Sequence, residues 1–362
     1  MVIRAPSTWF KPPISGPNVS AENVGETPLD LHLTPAGDAL DPPLKFSLAQ
    51  RMRQRFEMSH PGSSRDIGWA AELAPRGANR TPEFQSLYAR AHQGESVLPA
   101  DAQKYRYLLV RGLLADRMKF YMKGTERALG SHGLDVVLTQ TNTTAPLAEN
   151  LKVLRALVLE AAAEGKQVVL IGHSKGANEA VSLSSVYPEL VPHIRGVVSL
   201  EAAFGGAVLA SDLTRGPVTS RIIDWLQRKL GAAPDSAYEL SHASRRAFVA
   251  QYPVSQEVPM MALSAHCLSP RSLTFLIALY SRLRYGRLGR SDGMIAERDQ
   301  EIPGKPRVRL TAFDHAGPSF PDWASPGRWR SGKVSETLVA MVLADAARVP
   351  GGKGPARMST GA

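Results

Sequence analysis

Between about residues 66 and 349, short apolar runs alternate with amphipathic stretches, a rhythm that predicts parallel strands joined by crossover helices. The first run, Tyr107-Leu-Leu-Val-Arg-Gly112, reads as a strand stopping at a glycine, followed by a helix from about Met118 to Leu129. Leu134–Leu138 is the next strand. Thr144 is placed to cap a helix whose apolar positions Leu147, Leu151, Leu154, Leu157 and Val158 recur at helical spacing, and Gly165 ends it. Gln167–Ile171 has the composition of a buried strand, a helix follows from about Ala177 to Tyr187, and Gly196–Leu200 is another buried strand.

From about Gly206 to Tyr252 the rhythm breaks into a mainly helical stretch. Ile222, Ile223, Trp225 and Leu226 lie on one face of it, and Arg221, Arg228 and Lys229 on the other. Strands resume at Val258–Ser264 and Arg307–Thr311, and Val334 to Ala347 reads as a final helix. The expected fold class is α/β: a mainly parallel sheet of about six strands flanked by helices, with a helical cap inserted at about 206–252.

The ends change the picture. Residues 1–65 and 350–362 are rich in Pro, Ser, Gly and Asn with little periodicity, and read as an extended or disordered leader and a flexible tail. The 362 residues with 43% hydrophobic content suffice for one large domain, 66–349, and do not require a second. The single cysteine, Cys267, excludes an internal disulfide. The first residues lack the apolar stretch of a secretory signal, so the expected location is cytoplasmic, or outside the cell by a route without a Sec signal peptide. The net charge of +10 is spread along the chain without a nucleic-acid motif, so no nucleic-acid partner is expected; transient contact with a membrane surface is compatible with it. Composition says nothing of oligomeric state.

Candidate chemistry concentrates at Gly172-His-Ser-Lys-Gly176, a G-x-S-x-G with an apolar strand before it and a helix pattern after it. A serine at such a junction sits on a tight turn that exposes its oxygen, while the following helix points backbone N–H groups at any oxyanion formed beside it. The bland alternative is a glycine-rich turn. In this elbow and its strand–helix context, the chain resembles the α/β-hydrolase family, and specifically its lipase-like and esterase-like members, over about Tyr107 to Ala347.

The resemblance implies the rest of the site. Ser174 would be the nucleophile. His315, in Phe313-Asp-His-Ala-Gly-Pro318 after the last strand, stands where the family places its base. Asp292, in Ser291-Asp-Gly-Met-Ile295, resembles the segment carrying the acid in bacterial lipases and completes the chain order Ser, Asp, His; Glu201, ending the Gly196–Leu200 strand, is the rival acid. His173 reads as a packing or pocket-wall residue. The oxyanion donors would be the backbone N–H groups of Lys175 and Leu113, the latter in Arg111-Gly-Leu-Leu114. Lys175 departs from the apolar or small residues usual after the serine, and its side chain either biases the pocket toward anionic substrates or points to solvent.

Phe204 and the apolar helical run Leu273 to Leu283, with Phe275 and Leu276, are candidates for an acyl pocket; the run is equally a core helix or a lid, with Arg282, Arg284 and Arg287 beyond it. The chemistry calls for no metal or organic cofactor. The expected activity is cleavage of carboxylic esters, with apolar or lipid-like acyl groups, through an acyl-enzyme on Ser174. Two alternatives stay open: a non-catalytic binding module on the same fold, and a lipase-like effector exported by a non-Sec system.

Overall fold

A computed structural model describes residues 66–215, 235–272, 274–320 and 329–348. The leader, the tail and the middle of the insertion, including the amphipathic set from Arg221 to Lys229, lie outside the described residues.

Six strands form one sheet: β1 (Arg106–Val110), β2 (Asp135–Leu138), β3 (Val168–His173), β4 (Ile194–Leu200), β5 (Met260–His266) and β6 (Arg307–Thr311). Their order is β2-β1-β3-β4-β5-β6, and every neighbouring pair is parallel. Helix α1 (Thr81–His92) precedes β1. Parallel neighbours need crossovers, and helices supply them: α2 (Lys123–Gly130), α3 (Leu147–Ala163), α4 (Lys175–Val186), α5 (Val208–Arg215), α6 (Asp235–Tyr238), α7 (His242–Gln251) and α8 (Phe275–Tyr285), while α9 (Ser331–Arg348) follows β6. No helix among the described residues is long and apolar enough to cross a membrane.

The central strands are apolar at nearly every position because both sheet faces are covered, and alternate residues serve different layers. Leu108, Val110, Val168, Leu170, Val197, Met260 and Ala262 pack with α3, α4 and Phe248 of α7. Their neighbours Leu109, Val169, Ile171, Val198, Leu200, Met261 and Leu263 pack with Phe84 and Tyr88 of α1, Leu129 of α2, and Val334, Leu338 and Val342 of α9. α1 had no counterpart in the apolar pattern, which began at Tyr107. It carries Thr-Pro at its first positions and lays Phe84, Tyr88 and Ala91 against α9 and β6.

Two boundaries differ from the sequence reading for physical reasons. Thr144 does not cap α3: its hydroxyl bonds Asn142 Oδ1, and Pro146 takes the N-cap position. The first free helix amide, Leu147 N–H, is satisfied from across the fold by Glu239 Oε2 at 2.8 Å, a carboxylate at the positive end of the helix dipole. The helix expected from Met118 starts only at Lys123, because Met118 is extended and Met122 is left-handed.

The long connection from β5 to β6 is tied down by polar side chains. Gln300 pairs its amide with both backbone groups of Ala265, at 2.7 and 3.1 Å, as a neighbouring strand would. Glu297 accepts from Arg309 Nε and Nη2 at 2.9 and 2.6 Å and faces His266 at 3.5 Å. Burial works against the charged form of Glu297, but its bonds with His266 and Arg309 win and hold the carboxyl down at about 2. A depressed folded-state value adds stability above the ordinary value of 4.5 that is lost as pH falls toward 2. The expected result is that wild type melts above Glu297→Gln at neutral pH, and that the gap in Tm closes across this acid window.

Candidate active site

In an open parallel sheet, the chain ends of the strands gather ligand-binding loops where the winding reverses. Here the reversal falls between β1, which sends the chain outward to β2, and β3, which sends it toward β4–β6. Ser174 stands at that point, between the last residue of β3 and the first of α4, with φ 58° and ψ −121°. A serine at positive φ is strained by roughly 1–3 kcal/mol, and the surrounding packing enforces it. A Cβ at Gly176 would lie 2.4 Å from the Val110 carbonyl oxygen and 2.5 Å from that of Arg111, so only glycine lets α4 start against the end of β1. A Cβ at Gly112 would meet Tyr121 Oη at 2.4 Å and Ser174 Cβ at 3.1 Å, so the loop after β1 lies directly on the serine.

The histidine and acid arrive from the loops after β6 and α8. Ser174 Oγ is 2.9 Å from His315 Nε2, and His315 Nδ1 is 2.8 Å from Asp292 Oδ2. The fully buried Asp292 also accepts the Met294 and Ile295 N–H groups on Oδ1, each at 2.8 Å, and the His315 N–H donates to the Asp292 carbonyl at 2.8 Å. Because Asp292 Oδ2 can only accept, Nδ1 carries the ring proton and Nε2 is left to accept from the serine hydroxyl, the tautomer a general base needs. The fold thus brings Ser174, Asp292 and His315 together in one hydrogen-bonded chain.

Glu201 is also here. Its Oε2 lies 3.5 Å from His315 Nδ1, its side chain is fully buried, both carboxyl oxygens lack a hydrogen-bond partner, and its backbone is left-handed at φ 49°. Burial first, then the charges of Asp292 and Asp314, raise its pKa well above the ordinary carboxyl value. Asp292 therefore holds the direct bond to the imidazole.

Behind the histidine the sequence showed less. Tyr121 Oη accepts the Gly112 N–H at 3.1 Å and is also hydrogen-bonded to His173 Nδ1. Burial, and then the neighbouring His315, push the His173 pKa well down, and its ring lies 4.7 Å from that of His315. Tyr121 went unnoticed because no motif surrounds it; only the fold brings it 52 positions along the chain to His173. His173, Glu201 and His315 place metal-ligating atoms within 4.8 Å of one another, but His315 is already engaged on both nitrogens by Ser174 and Asp292.

The structure corrects the reading of Lys175. Its side chain reaches neither pocket nor solvent: it is buried and ion-paired with the buried Glu179 one helical turn on, whose Oε1 also accepts from Asn150 Nδ2 of α3 at 2.7 Å. Breaking such a pair from one side leaves an uncompensated buried charge. Lys175→Met is expected to destabilise the protein by about 3 kcal/mol in denaturant titration, and Lys175→Met with Glu179→Leu to recover much of it.

A second serine–histidine–aspartate chain exists and differs in kind. Ser211 Oγ is 2.7 Å from His242 Nδ1, and His242 Nε2 is 3.0 Å from Asp299 Oδ2, with all three buried. Ser211 Oγ accepts the N–H of His242 itself at 3.0 Å, so its hydroxyl proton goes to Nδ1, and Asp299 Oδ1 accepts the Gly68 N–H at 2.7 Å. The group stitches α5, α7 and the loop before β6 together and stands at no strand–helix elbow.

Among the apolar candidates, Phe204 is buried in the core beneath the Arg245 guanidinium, which bonds its carbonyl at 3.0 Å. Phe275 is half-buried and Leu276 is 76% exposed on α8; Leu273 lies outside the described residues. Leu113 is half-buried in the loop on Ser174.

No protein-family model matches the chain, and no curated protein sequence matches it. Solved structures do. The metagenomic carboxyl esterase MGS0156 superposes with a TM-score of 0.63 at 19% identity, covering 80% of this chain and 98% of that one. EstA from Clostridium botulinum superposes with a TM-score of 0.50 at 13% identity, covering 78% of this chain and 98% of that one. The six-stranded parallel sheet, the strained serine at its switch point and these likenesses agree: the chain has the α/β-hydrolase fold.

Proposed function

We propose that this protein is a serine hydrolase that cleaves carboxylic esters with apolar acyl groups through an acyl-enzyme on Ser174. The observation that carries the reading is the continuous hydrogen-bond chain Ser174–His315–Asp292, with the imidazole in the base tautomer. As Ser174 Oγ attacks the ester carbonyl, its proton passes to His315 Nε2, and the imidazolium is stabilised by Asp292. The same Nε2 then protonates the departing alkoxide. Water, deprotonated in turn by His315, releases the acid and regenerates the serine.

Charge developing on the carbonyl oxygen needs two donors fixed beforehand. Lys175 N–H, at the first position of α4, is one. Gly112 N–H is engaged by Tyr121 Oη, which leaves the next amide, Leu113, as the donor from the loop after β1. That loop is held in a tight turn by the Ala115 N–H bond to Gly112 O at 3.2 Å, with Leu114 at φ 62°.

The preference for apolar acyl groups is supported by large exposed side chains on segments that follow the carboxyl ends of β1 and β5: Phe120, Leu268, Leu276 and Leu283 are between 52% and 77% exposed. Exposed side chains of this size fit a site that meets an apolar substrate or a lipid surface. Hydrolysis of p-nitrophenyl esters from acetyl to palmitoyl tests it. The reading expects turnover, with kcat/KM rising beyond the short acyl chains; no turnover on any ester refutes it and leaves a binding module.

A further inference from the structure

Two carboxyl groups face one imidazole nitrogen. Asp292 bonds His315 Nδ1 at 2.8 Å from the loop after α8, and Glu201 approaches the same atom at 3.5 Å from the end of β4. Glu201 satisfies nothing else among the described residues. Both its oxygens are buried without a hydrogen-bond partner, His173 Nε2 stands 3.7 Å from Oε2 and is also unpartnered, and its backbone is held at φ 49°. A buried unpaired carboxyl on strained backbone is expensive unless its position is used.

We infer that Glu201 is a second acid for His315, a positioning residue that accepts the Nδ1 proton when Asp292 is absent or neutral. This rests on the serine-hydrolase reading for its use in turnover, but the seat itself is geometric. An ordinary side-chain adjustment of roughly half an ångström brings 3.5 Å into hydrogen-bond range. The groups facing Glu201 are His173 from β3, with Tyr121 behind it from the loop after β1; Cys267 after β5; Asp292; and Asp314 and His315 after β6. Burial is the main cause that raises the Glu201 pKa, and the Asp292 charge is the next. Removing that charge therefore moves Glu201 toward the ionised form that can accept the imidazole N–H.

Asp292→Asn makes the test sharp. Oδ1 of the new amide keeps the Met294 and Ile295 N–H bonds, which turns its NH2 toward His315 Nδ1 and favours the wrong tautomer. With Glu201 competing for the Nδ1 proton, Asp292→Asn is expected to lose about 10²-fold in kcat/KM, against the roughly 10⁴-fold of a site with one acid. Its activity rises with pH as Glu201 ionises, reaching its plateau at higher pH than wild type. Adding Glu201→Gln removes about a further 10²-fold and the alkaline rise, while Glu201→Gln alone changes the rate by about tenfold or less.

Asp292→Ala is the second background, free of the misdirecting amide. A second readout, the downfield His315 Nδ1–H proton resonance, does not depend on turnover. It is expected to persist in Asp292→Asn at alkaline pH and to vanish in the double variant. If single and double variants match in rate, pH profile and resonance, Glu201 is not an acid for His315. If wild type itself hydrolyses nothing, the hydrolase reading fails, and the resonance still decides the role of Glu201.

Discussion

Ser174→Ala and His315→Ala each lower kcat/KM for p-nitrophenyl esters by at least about 10⁴-fold, and the double variant is little worse than either single one. The reason is geometric. Ser174 Oγ and His315 Nε2 share one proton across 2.9 Å, so the hydroxyl is a nucleophile only while the base is present, and the base has no task without the hydroxyl. Stability should barely move, because Ser174 and His315 are both partly exposed and alanine tolerates the serine backbone no worse than serine does. The check is a rate comparison at equal Tm. A loss shared with unfolding, or two losses that multiply, would separate these residues from one another.

The second large effect comes from a residue that touches no substrate. Gly176→Ala would drive a methyl group to within 2.5 Å of the Val110 and Arg111 carbonyl oxygens, so the end of β1 must retreat from the start of α4. Under the proposed function, that retreat moves the Leu113 N–H away from the Lys175 N–H and disrupts the proposed pair of oxyanion donors. Losing one oxyanion donor typically lowers kcat by about 10²–10³-fold, and the expected result is a loss of that size in kcat with a small change in KM. Steady-state kinetics beside a melting curve distinguish this outcome from simple unfolding. A variant with wild-type kcat would show that the β1 loop is not part of the machinery.

Much of the site was legible because its parts are local. The G-x-S-x-G elbow announces itself through two glycines at a strand–helix junction, His315 lies in a short polar loop just after a predicted strand, and Asp292 was named by the resemblance of its Ser-Asp-Gly segment to the acid-bearing segment of bacterial lipases. The six strands were legible for a related reason: burial on both faces makes each a short unbroken apolar run, and their observed ends differ from the reading by only a few residues. What was illegible is non-local. The Thr144 cap looked sound in isolation, yet Pro146 and the distant Glu239 supply what the helix needs. Lys175 read as an exposed or pocket charge because nothing in its neighbourhood reveals that Asn150 of another helix meets Glu179 beneath it. The choice between Asp292 and Glu201 was open for the same reason, since only the fold measures 2.8 Å for one and 3.5 Å for the other.

The Ser211–His242–Asp299 chain gives the converse lesson. Its residue types and bond order imitate a catalytic group, and residue identity alone would rank it beside the first. In both groups the serine hydroxyl bonds the imidazole and the other ring nitrogen bonds the aspartate, so the difference lies in the backbone and the surroundings of the serine. Ser174 has left-handed backbone at φ 58° at a strand–helix junction with the loop after β1 against it, whereas the Ser211 hydroxyl oxygen is occupied by a backbone amide and buried between helices. Under the proposed function, the strained backbone at the elbow, more than the residue types, singles out Ser174 over Ser211.

The most direct test of the central claim is covalent capture of the nucleophile. Incubation with a fluorophosphonate, followed by intact-mass measurement and peptide mapping, should show one adduct per chain, located on Ser174 and absent from Ser174→Ala and His315→Ala. An unlabelled wild type, or an adduct that survives in Ser174→Ala, would contradict the account.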